Sequence, residues 1–115
     1  MNEFDVPILQ KSYDLYKQLH SYRRLVPKQD RYTLFERADN TMLEVLSGIF
    51  TASNQPKVQK LKTLEEVSNN LNLLRLSVRL MKDIKALDNK KYLNLQSDIE
   101  EVGRMLGGWI RSLKE

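Results

Sequence analysis

From Tyr92 onward the apolar residues fall at Leu95, Ile99, Val102, Leu106, Trp109 and Leu113, in alternating steps of three and four. That spacing winds one continuous stripe along a helix and admits no strand. Inside it stands the run Val102-Gly103-Arg104-Met105-Leu106-Gly107-Gly108-Trp109. A glycine in a helix interior costs roughly 1 kcal/mol relative to alanine, so three of them need a reason. Gly103 and Gly107 stand four apart and share a face, which leaves a smooth groove where another backbone can approach. Gly108 then sets a bare spot beside Trp109, the largest side chain in the chain. The alternative is that Gly107-Gly108 ends the helix; Trp109, Ile110 and Leu113 oppose it by carrying the period onward.

The same spacing recurs upstream. A first helix is expected from about Pro7 to Leu25, with Ile8, Leu15, Leu19, Tyr22 and Val26 on its stripe and Ser12 filling a gap. Asp5 is placed to cap it, and Pro7 suits a first turn because its missing N–H would be unpaired there. Pro27 stops this helix, and Asp30 is placed to cap a second, about Arg31 to Ala52, whose stripe is Phe35, Ala38, Met42, Val45 and Ile49. Ser53-Asn54-Gln55-Pro56 breaks it, with Pro56 again at a first-turn position. A third helix is expected from about Lys57 to Leu87, Asp88-Asn89 is a polar turn, and the fourth helix runs from about Lys90 to Leu113. Four long amphipathic helices on short connections predict an all-α, antiparallel up-and-down four-helix bundle. At 115 residues the whole chain, 1–115, reads as a single domain.

The third helix carries more apolar surface than a bundle stripe requires. Leu64, Val67, Leu71, Leu74, Val78 and Met81 make the expected stripe, while Leu73, Leu76, Leu80, Ile84 and Leu87 are offset from it. Each leucine left exposed forgoes about 1.5–3 kcal/mol of burial, and a contiguous patch of them marks an interface. Length adds to the surplus: at about 1.5 Å per residue this helix would run about 45 Å, beyond what the first can cover. A slightly rotated helix that uses its wide stripe inside one protomer is the alternative.

Charge is uneven as well. The formal net charge is +4, which leans modestly towards an anionic partner. Arg75, Arg79 and Lys82, spaced by four and three, line one edge of the third helix with no acid interleaved. Arg23 and Arg24 close the first. A row of this kind suits a phosphate backbone, whose neutralisation releases counterions. An ordinary solvated face is the competing reading, and cations in a last turn are favoured by the helix dipole alone. The tyrosines sit on or beside helical stripes, where they pack with a wet hydroxyl more often than they stack on bases.

Little suggests catalysis, a cofactor or a metal. His20 is the only histidine and there is no cysteine, so disulfides and thiolate metal sites are excluded. Glu65-Glu66 and Glu100-Glu101 are neighbours that point about 100° apart on a helix. No Glu-x-x-His motif of di-iron bundles and no glycine-rich phosphate loop occurs. No apolar run approaches the roughly 20 residues of a membrane span, and the acidic start Met1-Asn2-Glu3-Phe4-Asp5 argues against a signal peptide. A cytoplasmic protein is therefore expected.

Three segments carry a family likeness: Val26-Pro27-Lys28-Gln29-Asp30-Arg31-Tyr32-Thr33-Leu34, Leu71-Asn72-Leu73-Leu74-Arg75-Leu76-Ser77-Val78-Arg79-Leu80, and Glu101 to Trp109 with its glycines. Over about Pro7 to Lys114 the chain resembles the accessory variability determinant proteins of diversity-generating retroelements. Those belong to a wider group of bacterial four-helix bundles that includes the ribosomal RNA intervening-sequence proteins. The resemblance brings no catalytic motif. It implies a non-enzymatic partner of a reverse transcriptase that binds RNA or DNA, and a homo-oligomeric ring, a pentamer. On that basis Arg23, Arg24, Arg75, Arg79 and Lys82 are the expected contacts to nucleic acid or polymerase, and Leu73, Leu76, Leu80, Gly103 and Gly107 the expected contacts between copies. The alternatives are an intervening-sequence-type bundle protein, or a plain interaction module that binds an acidic protein and no nucleic acid.

Overall fold

Every expected stripe becomes one side of a shared core. A computed structural model describes the backbone from residue 5 and the side chains from residue 6, through residue 115; the capping expected of Asp5 and the acidic start lie outside those side chains. The elements are α1 (Asp5–Ser21), a 3-10 turn (Arg23–Leu25), the one-turn α2 (Lys28–Arg31), α3 (Leu34–Ser53), α4 (Lys57–Asp83) and α5 (Asn89–Lys114). No strand occurs among the described residues. The four long helices alternate in direction, and α1 packs on α3 and α5, α3 on α4, and α4 on α5. The result is a closed square of helices 44 × 22 × 19 Å in extent.

The core takes Ile8, Leu15 and Leu19 from α1, the five expected α3 residues, six from α4 and Tyr92 through Trp109 from α5. Ser12 is wholly buried in the gap it was expected to fill. Tyr22 is only half-buried, beside the core rather than in it. The fourth helix runs through Gly107-Gly108 without a break, as the period beyond it requires. The most crowded glycine is another one. A Cβ on Gly48 of α3 would overlap Cγ2 of Val67 on α4, so this position has no room for a side chain. Across the α1–α5 seam, Lys11 Nζ lies 3.1 Å from both Asp98 and Glu101. Hydrogen bonds to Glu101 and then Asp98 push the Lys11 pKa above its ordinary 10.5.

The helix ends depart from the expected limits. The first helix does not run to Leu25, because its last turn tightens into the 3-10 form. Pro27 forces Val26 into extended backbone, φ −79° and ψ 137°. Asp30 does not cap the second long helix: it lies within α2, whose first turn closes through Asp30 N–H to the Pro27 carbonyl, 2.9 Å. Pro56 precedes α4 rather than entering its first turn, and its carbonyl accepts from Gln59 and Lys60. The third helix stops at Asp83, not Leu87. Lys85 takes the left-handed conformation at φ 64°, and the Ala86 N–H donates 2.8 Å back to the Met81 carbonyl. With Lys85 N–H donating to Lys82, this is a Schellman stop. The reversal swings Ala86 and Leu87 into the core and brings Asp88 to the start of α5, where its carboxylate accepts from Lys91 N–H at 2.8 Å.

Candidate nucleic-acid and partner surfaces

The α4 edge holds Arg75, Arg79 and Lys82 in a row, but the row is not free of acids. Arg75 Nε lies 2.8 Å from Glu100 on α5, and its guanidinium also donates to Asn72. Arg79 pairs at 3.3 Å with Asp83, one turn on. Lys82 sets its ammonium 5.0 Å from the centre of the Tyr92 ring. Glu100 is 25 residues from Arg75, so its approach depends on how α4 and α5 pack and is invisible to a reading of one helix.

Arg23 and Arg24 are placed otherwise. The turn that ends the first helix, with α2 folded back behind it, makes a depression of about 510 Å³ lined by His20, Ser21, Arg23, Arg24, Arg31 and Tyr32. Three guanidiniums and no carboxylate line it. None of the three arginines makes an ion pair among the described residues. Arg31 Nη2 donates to the Arg24 and Val26 carbonyls at 3.2 and 3.1 Å, which ties α2 to the preceding turn. The Arg23 guanidinium lies over the Tyr32 ring, 5.1 Å from its centre. His20 stacks on Tyr16 and sits with Nδ1 3.8 Å from Asp39. Burial, and then the Asp39 charge, pushes the Tyr16 hydroxyl above its ordinary pKa of 10.0. The α4 edge lies towards the same end of the bundle, yet none of its residues lines the depression. Sequence reasoning placed Arg23 and Arg24 but missed Arg31, Tyr32 and His20 as members of one site. The one available signal was the Val26-Pro27 turn, which must bend the chain back on itself.

Over residues 6–113 the chain matches the family model described as bAvd-like. The chain belongs to the bAvd-like family. A similar solved structure is the crystal structure of a Bacteroides thetaiotaomicron protein of unknown function from the S23 ribosomal protein family. It superposes with a TM-score of 0.84 at 16% identity, covering 94% of this chain and 98% of that one. At that identity the likeness concerns the fold. No curated protein matches the chain.

A bAvd-like bundle with this sequence leaves two apolar surfaces uncovered. On α4, Leu73, Leu76 and Leu80, with Ile84 just past its end, are 43–65% exposed, on the side away from the core. Leu87, expected with them, is only 3% exposed and belongs to the core, because the Schellman turn reverses the chain before it. The second surface was not anticipated. Leu9 and Tyr13 of α1 face Leu43, Leu46, Ser47 and Phe50 of α3 across an open groove of about 410 Å³.

Gly103 and Gly107 of α5 line a third, smaller groove of about 300 Å³ against Ser68, Leu71, Asn72 and Arg75. A Cβ on Gly103 would lie 3.4 Å from Arg75 Nη2, and one on Gly107 would meet only Arg111 of its own helix, at 3.8 Å. Within one chain, then, no backbone approaches Gly107. Among the described residues no helix is long and apolar enough to cross a membrane, and no group of three His, Cys, Asp or Glu could hold a metal ion.

Proposed function

We propose that this bAvd-like chain is a non-catalytic accessory subunit of a diversity-generating retroelement. In this reading it binds the reverse transcriptase and the template RNA or its cDNA through basic surfaces and holds them together during mutagenic copying in the cytoplasm. The chain works as a homo-oligomer, a pentameric ring, with the exposed Leu73, Leu76 and Leu80 stripe at the contact between copies. The observation that carries the nucleic-acid half is the depression at the end of α1, where Arg23, Arg24 and Arg31 converge without a paired carboxylate. Unpaired guanidiniums gain more from a phosphate than paired ones, which must first give up an acid. The Arg75–Arg79–Lys82 edge adds positive potential and is assigned to the polymerase.

Filter binding of mixed-sequence RNA across a salt series tests this. Affinity should fall steeply with salt. The double change Arg23→Gln with Arg24→Gln should flatten the logarithmic slope by about 1.4, at roughly 0.7 per phosphate contact on a single strand. Arg75→Gln with Arg79→Gln should change it less, because those charges are already opposed by Glu100 and Asp83. Arg75→Glu with Arg79→Glu should instead weaken co-purification with the reverse transcriptase. A chain that binds neither RNA nor DNA at low salt is the plain interaction module, and the nucleic-acid half of the proposal falls.

A further inference from the structure

The depression at the end of α1 combines two chemistries that duplex nucleic acid cannot use together. Its arginines offer charge and forked donors suited to a phosphodiester. Arg31 is fixed by its two carbonyl bonds, so its charge stands in place before any ligand arrives. Beside these lies an aromatic face. Tyr32 is 57% exposed even with the Arg23 guanidinium over its ring, and it sits in the two-residue step between α2 and α3 rather than inside a helical stripe. A base within a duplex has both faces occupied by its neighbours, whereas an unpaired base has a face to offer. The depression, at about 510 Å³, has the size of a small-ligand site, enough for one nucleotide.

We infer that this depression is a single-strand site: Arg23, Arg24 and Arg31 take a phosphodiester, and Tyr32 stacks the adjoining unpaired base. The inference rests on the reading that the chain binds nucleic acid, and adds which form it binds and through which residues. The lining also sets what the site ignores. It contains no side-chain amide and no carboxylate, and the Ser21 hydroxyl is already spent on the Gln18 carbonyl at 2.6 Å. Apart from His20, whose ring stacks on Tyr16, the lining leaves no group over to read a base edge, and stacking is sequence-tolerant.

Fluorescence anisotropy on the full chain tests it with three probes of one length: a mixed-sequence single-stranded RNA, the same sequence as a duplex, and an abasic strand with the same phosphates. The single strand should bind about tenfold more tightly than either of the others, the scale of one base–aromatic stack. Tyr32→Ala should abolish that preference while leaving the salt slope unchanged, and Tyr32→Phe should keep it. Arg24→Gln should do the reverse, lowering the slope by about 0.7 and keeping the preference. Because Tyr32 is exposed and the Arg24 contact to Arg31 uses a backbone carbonyl, both variants should melt like the parent. Equal binding of duplex and single strand, or an unchanged preference in Tyr32→Ala, overturns this inference and leaves the proposed function standing. Failure of the parent chain to bind any of the three probes overturns both.

Discussion

Two single residues at the α4–α5 turn carry opposite lessons about what their types prefer. Lys85 holds φ at 64°, where a Cβ meets the following carbonyl at a cost of roughly 1–2 kcal/mol. Glycine is the usual occupant of this Schellman position. Lys85→Gly should therefore raise stability, by about 0.5–1 kcal/mol after the larger unfolded-state entropy of glycine is subtracted. Urea melts of the two chains check this, and a loss of stability would mean that Lys85 makes a compensating contact. Asp88 is the opposite case, a residue whose type fits its place. Its bonds from the Lys91 ammonium and backbone N–H hold its carboxyl below the ordinary 3.8. A carboxyl depressed on folding stabilises at every pH above its unfolded value, and that contribution is lost as pH falls through the folded value. Between pH 5 and pH 2 the melting temperature should drop more for the parent than for Asp88→Asn, which keeps a capping oxygen without the charge. Parallel curves would show that Asp88 contributes nothing to acid sensitivity.

At the scale of elements, glycine position matters more than glycine count. Gly48 sits where α3 and α4 touch, and the side chain it would strike is Val67, buried and stiff about χ1. Gly48→Ala should cost about 1–2 kcal/mol, since overpacking outweighs the helix propensity gained. Adding Val67→Ala should make the two changes less costly together than their separate costs sum to, a coupling a double-mutant cycle reads directly. Gly107→Ala should behave oppositely and add about 0.5–1 kcal/mol to the chain's own stability, because only Arg111 of the same helix is near. The helices themselves were legible because a three-and-four spacing has one structural solution, and the buried residues of α3, α4 and α5 lie where that spacing puts them. Their ends were less legible. Asp30 looks like a cap in one dimension, but Pro27 nucleates a separate turn that uses it first. Leu87 continues the α4 surplus only if the helix continues, and Lys85 ends that two residues earlier. The edge pair Arg75–Glu100 and the groove between α1 and α3 require knowing which helices are neighbours. Leu43, Leu46 and Phe50 nevertheless form a second stripe, spaced three and four, that the sequence displays openly.

On the scale of the whole molecule, the two uncovered apolar surfaces face different ways. The stripe Leu73–Leu76–Leu80–Ile84 covers eleven residue steps along α4 and just past its end, about 16 Å at helical rise. The groove lies between α1 and α3 and is lined almost wholly by carbon. A contact of stripe on stripe would be two-fold and would stop at a dimer. A contact of stripe in groove is head-to-tail, and such contacts close into rings when the rotation permits. The ring implied by the family resemblance needs the second kind, and this chain carries both halves of it. Native mass spectrometry can separate the cases by complementation. Leu76→Glu spoils the stripe and Phe50→Glu the groove, both at exposed positions, so each variant should remain folded and run as a monomer. Mixed in equal amounts, they retain one intact stripe and one intact groove between them and should form a 1:1 heterodimer and nothing larger. If stripe meets stripe, Phe50→Glu alone will assemble like the parent and the mixture will show no new species. If both variants still form the parental oligomer, the copies meet elsewhere, and the Gly103/Gly107 groove becomes the surface to test, with Gly107→Leu blocking assembly where Gly107→Ala does not.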